Sequence, residues 1–180
     1  MTLIIRQAIP TNAAALAELA AATFALACPP GTPPESIAEF IAEHLSVQRF
    51  AGYLADPARD IRLAYDDDVA AGYTMLIFGE PGDADVAAAI THRPTVELSK
   101  VYVRSGHHGA GLAAPLMAAT LEAAGAGGAA GVWLGVNQRN ARAIRFYEKS
   151  GFAVVGAKTF MVGPEPQEDF VMEQALHGAR

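Results

Sequence analysis

The stretch from Thr95 to Leu121 constrains this chain more than any other. TVELSKVYV alternates Val96, Leu98 and Lys100 against Glu97, Ser99 and Val101, the period-two pattern of a strand. A glycine-rich turn, Gly106 to Gly111, follows at once and opens a helix through Leu112, Leu116, Met117, Thr120 and Leu121. A strand feeding a helix through such a turn converges backbone N–H groups and partial positive charge on one point, a natural seat for a pyrophosphate. Gly109 and Gly111 let that backbone come close to phosphates with no Cβ in the way. No Lys-Ser/Thr follows the glycines, so this is not a Walker loop, and the full GxGxxG spacing of a dinucleotide fold is missing. Taken alone, GHHGAGLA reads equally as a phosphate cradle and as a tight turn. His107 and His108 are adjacent, point in different directions and make a poor metal pair.

The other segments supply an α+β frame. Leu3 to Ala8 reads as a first strand, and Thr11 or Asn12 as the cap of a helix that ends by Cys28, before Pro29, Pro30 and Gly31. SIAEFIAEHL lines Ile37, Phe40, Ile41, His44 and Leu45 along one helical face, with Ser36 and Glu39 spaced as a capping box. A short helix follows over Val47 to Leu54. From Ile61 the period becomes that of a strand, and Asp66 to Asp68 turn a hairpin whose return strand is Val69 to Phe78. Gly79 to Arg93 reads as a loop or irregular connection. VWLGV is a buried-type strand, Asn140 caps a helix stopped by Ser150-Gly151, and Phe152–Phe160 and Phe170–Leu176 are final strands. No linker, repeat or charge block divides residues 1–180, so one domain with a mixed sheet is expected.

Composition closes off several function classes. Hydrophobic residues make up 52% of the chain, enough to build a core, although alanine supplies much of it. Thirteen Lys+Arg against 19 Asp+Glu give a formal charge of −6, which argues against nucleic acid or anionic membrane as partner. Cys28 is the only cysteine, so there is no internal disulfide and no cysteine metal framework. MTLIIRQAIP lacks the features of a signal peptide, no apolar run approaches the ~20 residues of a membrane span, and a cytoplasmic location fits.

The second informative stretch is WLGVNQRNARAIRFYEKSGF, residues 133–152: strand, loop, a helix carrying a tyrosine, then Gly-Phe. Together with the glycine turn it resembles the GNAT superfamily of acetyl-CoA-dependent N-acetyltransferases. Members carry a Q/R-x-x-G-x-G/A loop and a later N-x-x-A-x-x-F-Y-x-x-x-G-F segment. Here the loop is His108, Gly109, Ala110, Gly111, Leu112 and Ala113, and the later segment is Asn140, Ala143, Phe146, Tyr147, Gly151 and Phe152. His108 stands where Gln or Arg is usual, and Pro115 is unusual in the helix start. The resemblance covers roughly residues 3–176. A finer one, in PPESIAEFIAEHLS, WLGVNQRNARAIRFYEKSGF and GAKTFMVGPEPQEDFVMEQAL, is to the PaiA-type branch, described as spermine/spermidine N-acetyltransferases.

The resemblance implies a mixed, twisted sheet of six to seven strands flanked by helices, opening in a V between the fourth and fifth strands. It implies acetyl transfer from acetyl-CoA to a primary amine, a polyamine first, by direct attack in a ternary complex and without a metal. A protein N-terminus or lysine as acceptor, or a non-catalytic coenzyme A sensor, are the competing readings. A small-molecule partner is implied, and a homodimer stays open. Glu97 is implied as general base, against an ordinary solvent-facing strand residue. Tyr147 is implied as acid to the leaving thiolate, with an ordinary phenol pKa, against simple packing beside Phe146. Val101, Tyr102 and Val103 would pair with the pantetheine arm and supply an oxyanion donor. His108 to Ala113 would hold the phosphates, and Asn140 would contact cofactor or merely cap its helix. Glu39, Glu43, Asp66 and Asp68 are unranked cation contacts, Trp133 is expected in the core, and Cys28 is expected to be structural.

Overall fold

The computed structural model describes residues 2–28, 30–104, 106, 111–162 and 164–177. Seven strands are β1 (Leu3–Gln7), β2 (Arg59–Asp66), β3 (Val69–Phe78), β4 (Thr95–Val103), β5 (Gly131–Asn137), β6 (Ala153–Val162) and β7 (Glu165–Ala175). Six helices are α1 (Ala13–Ala27), α2 (Pro34–His44), α3 (Val47–Ala55), α4 (Ala84–Ala89), α5 (Ala113–Ala126) and α6 (Ala141–Lys149). The strands lie in the order β1-β2-β3-β4-β5-β7-β6, with β4 and β5 parallel and the β1–β2, β5–β7 and β6–β7 pairs antiparallel. This is the mixed sheet expected from the sequence. The chain groups into two compact units, Met1–Met75 with Lys100–Thr120, and Leu76–Ser99 with Leu121–Arg180.

In the first unit, α1 buries Leu16, Leu19, Ala20, Thr23 and Phe24, a spacing of three and four that defines one helical face. Phe24 stacks on Phe40 of α2 with ring centroids 4.4 Å apart, and Phe50 of α3 is fully buried. Each such large apolar side chain contributes roughly 1.5–3 kcal/mol on burial. Helix α5 presses on β3 on the other side. Leu112 and Leu116 join Ala64, Ala71 and Val103 in one buried cluster. A Cβ at Gly72 would meet Leu112 Cδ2 at 3.0 Å, the Tyr102 carbonyl at 3.1 Å and Leu116 Cδ2 at 3.3 Å. Thr120 donates its hydroxyl to the Leu116 carbonyl at 2.7 Å, which leaves Thr74 as donor in the buried Thr74–Thr120 bond, also 2.7 Å.

In the second unit, α4 packs Val86 and Ile90 against Trp133 and Val171, so Trp133 is a core residue as expected. Glu173 of β7 is buried as a carboxylate and satisfied there: it accepts from the Thr91 and His92 amides at 3.0 Å and from the Thr91 hydroxyl at 3.1 Å. Lys158 of β6 reaches over Gly135 toward Asp169 of β7, Nζ to Oδ2 3.8 Å. A Cβ at Gly135 would stand 2.7 Å from Lys158 Cε and 3.3 Å from Asp169 Oδ2. Burial pushes the Asp169 carboxyl up, and the Lys158 ammonium only partly opposes it.

Three local expectations are corrected. Pro10–Asn12 form a 3-10 turn ahead of α1, and Asn12 Oδ1 accepts from the Ile9 amide at 2.8 Å rather than capping the helix. Helix α2 begins at Pro34, two residues before Ser36, because proline with its fixed φ suits a first helical position; the Ser36–Glu39 box is therefore not its cap. The connection from Gly79 to Arg93 contains α4, capped by Asp83, whose Oδ1 accepts from Asp85 N at 2.8 Å and Val86 N at 3.1 Å. Gly72→Ala should lower unfolding free energy by about 1–3 kcal/mol, since a methyl group there overpacks the α5 contact. Urea denaturation measures it, and an unchanged midpoint would mean that α5 yields without cost.

Candidate active site

Glu97 pairs with Trp133 in the parallel β4–β5 ladder, which also joins Thr95 to Gly131 and Val96 to Val132. The alternation read from the sequence holds here: Val96 and Leu98 are buried, while Glu97 and Ser99 are partly exposed. Glu97 makes protein contacts of its own.

Farther along β4, Val101 and Tyr102 are partly exposed and Val103 is buried. Tyr102 lies against Tyr73 of β3, ring centroids 5.7 Å apart, and the Arg104 amide donates to the Ala71 carbonyl at 2.8 Å. Val103, Leu112 and Ala113 come together in the cluster beneath α5. Leu112 therefore spends its side chain on the core, and its contribution to a ligand is limited to its backbone. Gly111 has φ +76 and Gly106 φ +91, a region that L side chains rarely adopt. A Cβ at either glycine would meet nothing within 4 Å, so the backbone face at the helix entry is open. That fits an approaching phosphate. His108, Gly109 and Ala110 lie outside the described residues.

On α6, Asn140 is the cap that the sequence suggested: its Oδ1 accepts from Ala143 N at 3.1 Å. The cap uses only the oxygen of the amide. Two turns later Tyr147 packs against Phe146 at 5.7 Å and edge-on to Phe152 at 6.0 Å. Its carbonyl accepts from Phe152 N and Ser150 N at 3.0 Å, closing the helix onto the Gly-Phe turn. The expected phenol pKa near 10 is corrected here: burial pushes Tyr147 up to about 12, although the residue keeps some exposure.

Sequence reasoning passed over Tyr73, which is fully buried, with a hydroxyl that has no partner among the described residues, and edge-packed on Phe50 at 5.8 Å. Burial pushes its pKa well above 10, with the Tyr102 and Tyr53 phenols adding to the effect. It also passed over Arg59, whose guanidinium lies 4.7 Å over the Tyr53 ring. Of the unranked acids, Glu43 lines a cavity between Ala42 and Arg59 whose lining does not include Glu39, Asp66 or Asp68. Cys28 is a free thiol with a pKa raised by burial. Among the described residues no group of three or more His, Cys, Asp or Glu side chains could hold a metal ion, and no helix is long and apolar enough to cross a membrane.

The solved structure of PaiA N-acetyltransferase from Thermoplasma acidophilum in complex with coenzyme A matches 97% of this chain and 99% of that one, with TM-score 0.77 and 19% identity. The yncA protein of Salmonella typhimurium, solved with its cofactor acetyl-CoA, matches 100% of this chain and 97% of that one, with TM-score 0.65 and 20% identity. These similarities show the fold. In sequence, an uncharacterized N-acetyltransferase of Mycobacterium tuberculosis is 48% identical over 166 residues, covering 92% of this chain and 99% of that protein. A second uncharacterized N-acetyltransferase, from Lactobacillus delbrueckii subsp. lactis, is 27% identical over 144 residues, 79% of this chain and 80% of that protein. The model of the acetyltransferase (GNAT) family matches residues 20–152. The chain belongs to the GNAT family and is an acetyl-CoA-dependent N-acetyltransferase.

Proposed function

We propose that this enzyme acetylates a small primary amine by direct attack in a ternary complex, working as one catalytic domain in the cytoplasm, with Glu97 as base and Tyr147 as donor to the leaving sulfur. The observation that carries the reading is the Tyr147 phenol, partly buried on α6 with its pKa raised to about 12. Such a phenol stays protonated across the neutral range and remains a donor.

An amine with a pKa near that of lysine, about 10.4, costs roughly 4.6 kcal/mol to deprotonate at pH 7. Glu97, paired with Trp133 in the β4–β5 ladder, would take that proton, directly or through water. The amine nitrogen then attacks the thioester carbon, the nitrogen sheds its second proton to solvent, the C–S bond breaks, and negative charge gathers on sulfur. Full transfer from a phenol whose pKa burial raises to about 12 to a less basic thiolate is uphill. Tyr147 therefore acts by hydrogen bonding to the sulfur as it departs, and the final proton on the thiol comes from solvent. The backbone amides at Gly111, Leu112 and Ala113, with His108, Gly109 and Ala110, would hold the phosphates. Val101, Tyr102 and Val103 would pair with the pantetheine arm, and the side-chain N–H of Asn140 would serve the cofactor while its oxygen caps α6. A polyamine is the first acceptor to test, on the resemblance of three segments to the PaiA-type branch.

An acceptor screen with acetyl-CoA, read as free-thiol release, tests the reaction, and release with no primary amine would overturn it. Tyr147→Phe keeps the ring and loses the donor, so single-turnover acetylation should slow about tenfold, or 1.4 kcal/mol, at unchanged acetyl-CoA affinity. A wild-type rate would reduce Tyr147 to packing. Glu97→Gln should lower turnover by about 10²-fold at neutral pH and recover as pH rises toward the amine pKa; a flat profile at the wild-type rate removes it as base. Asn140→Asp should preserve stability yet weaken acetyl-CoA binding, whereas Asn140→Ala should also cost about 1 kcal/mol of stability. Equal acetyl-CoA affinity in all three proteins would confine Asn140 to capping.

A further inference from the structure

The first unit contains a cavity of about 560 Å³, bordered by Glu43 of α2, Arg49 and Tyr53 of α3, and Asp56 and Arg59 at the entry to β2. That volume falls within the range of small-molecule sites. Its walls hold two guanidiniums oriented by the protein yet incompletely used. Arg59 lies 4.7 Å over the Tyr53 ring, and the Tyr53 hydroxyl donates to the His44 carbonyl at 2.8 Å, fixing the ring. Arg59 Nε donates to Asp56 Oδ2 at 3.1 Å, and Nη1 reaches only the thioether of Met75, at 3.7 Å. Sulfur is a weak acceptor, and Arg59 Nη2 has no protein acceptor among the described residues. Arg49 is held by its Nε, which donates to the Glu43 carbonyl at 2.7 Å, and neither of its terminal nitrogens has an acceptor among the described residues. A planar guanidinium fixed by stacking is built to take a carboxylate or phosphate through two parallel hydrogen bonds.

The acids decide between these anions. The Ala58 amide and the Arg59 guanidinium hold the Asp56 carboxyl below its usual range, so Asp56 stays ionised and committed to the wall. Among the described residues the Glu43 carboxylate meets only His44, at 3.8 Å, and is largely exposed. A dianionic phosphate would face two carboxylates, and a polycation two guanidiniums. A ligand bearing one carboxylate and one ammonium meets complementary charge at both ends.

We propose that this cavity binds a zwitterionic small molecule, a free amino acid or short peptide, with its carboxylate on Arg59 and Arg49 and its ammonium on Glu43. The site does not rest on the acetyl-transfer reading, and its test contains no acetyl-CoA. Dialanine is titrated into the full chain by calorimetry, with the Gly52 and Tyr53 amide signals followed by NMR. Dialanine should bind and move those signals; its C-terminal amide, its N-acetyl form, putrescine and inorganic phosphate should each bind at least tenfold more weakly. Arg59→Gln and Arg49→Gln should each weaken dialanine tenfold or more, while Glu43→Gln should weaken dialanine and strengthen phosphate. Arg49 and Glu43 are exposed, so their variants keep the test open should Arg59→Gln fail to fold. The proposal is overturned if dialanine leaves Gly52 and Tyr53 unmoved. It is equally overturned if putrescine or phosphate binds as tightly as dialanine, or if the Arg49 and Glu43 variants bind dialanine like wild type.

Discussion

The close approach of α5 to β3 governs the first unit. Gly72 lets Leu112 and Leu116 come down onto the strand to within about the limit of a methyl group, and the buried Thr74–Thr120 bond fixes how far α5 slides along it. Because Leu112 is the residue before α5 and is itself fully buried, the point at which the chain enters the helix is anchored from below. The open backbone at Gly111 follows from that anchor. Interiors packed to this density transmit displacements rather than absorb them.

Much of the frame was legible because its signals are local. The alternation in TVELSKVYV survived as buried Val96 and Leu98 against half-exposed Glu97 and Ser99, and Asn140 capped the helix it was expected to cap. Misreadings arose where two local signals competed. Pro34 outranked Ser36 for the start of α2, since a fixed φ costs nothing at a first helical position. In DADVAAAI the run of small residues hid α4, yet Asp83 and the pair Val86 and Ile90, four apart, carried its cap and its buried face. The site was less legible. The motif residues of the family are readable as letters, but the raised pKa of Tyr147 depends on what surrounds the hydroxyl in space. The Arg59–Tyr53 stack depends on the angle at which α3 passes into β2. No periodicity encodes either.

Two titratable groups carry the proposed chemistry, and their surroundings are opposite in kind. Glu97 sits on a strand face with partial access to water, suited to exporting a proton. Tyr147 is partly buried among aromatic neighbours, and the same desolvation that makes it a reluctant acid makes each hydrogen bond it donates stronger. A donor of this sort steadies charge without surrendering its proton and so needs no reprotonation between turnovers.

Gly135 shows how order of change is constrained in the second unit. Lys158 crosses the space where a side chain would stand, on its way to the buried Asp169 carboxylate. A lineage that replaced Gly135 first would push Lys158 aside and strand Asp169 in a poorly hydrated place. One that first lost the Lys158–Asp169 pair together could then accept any small side chain at 135. The three positions are therefore coupled, because the ion pair runs through the void left by glycine.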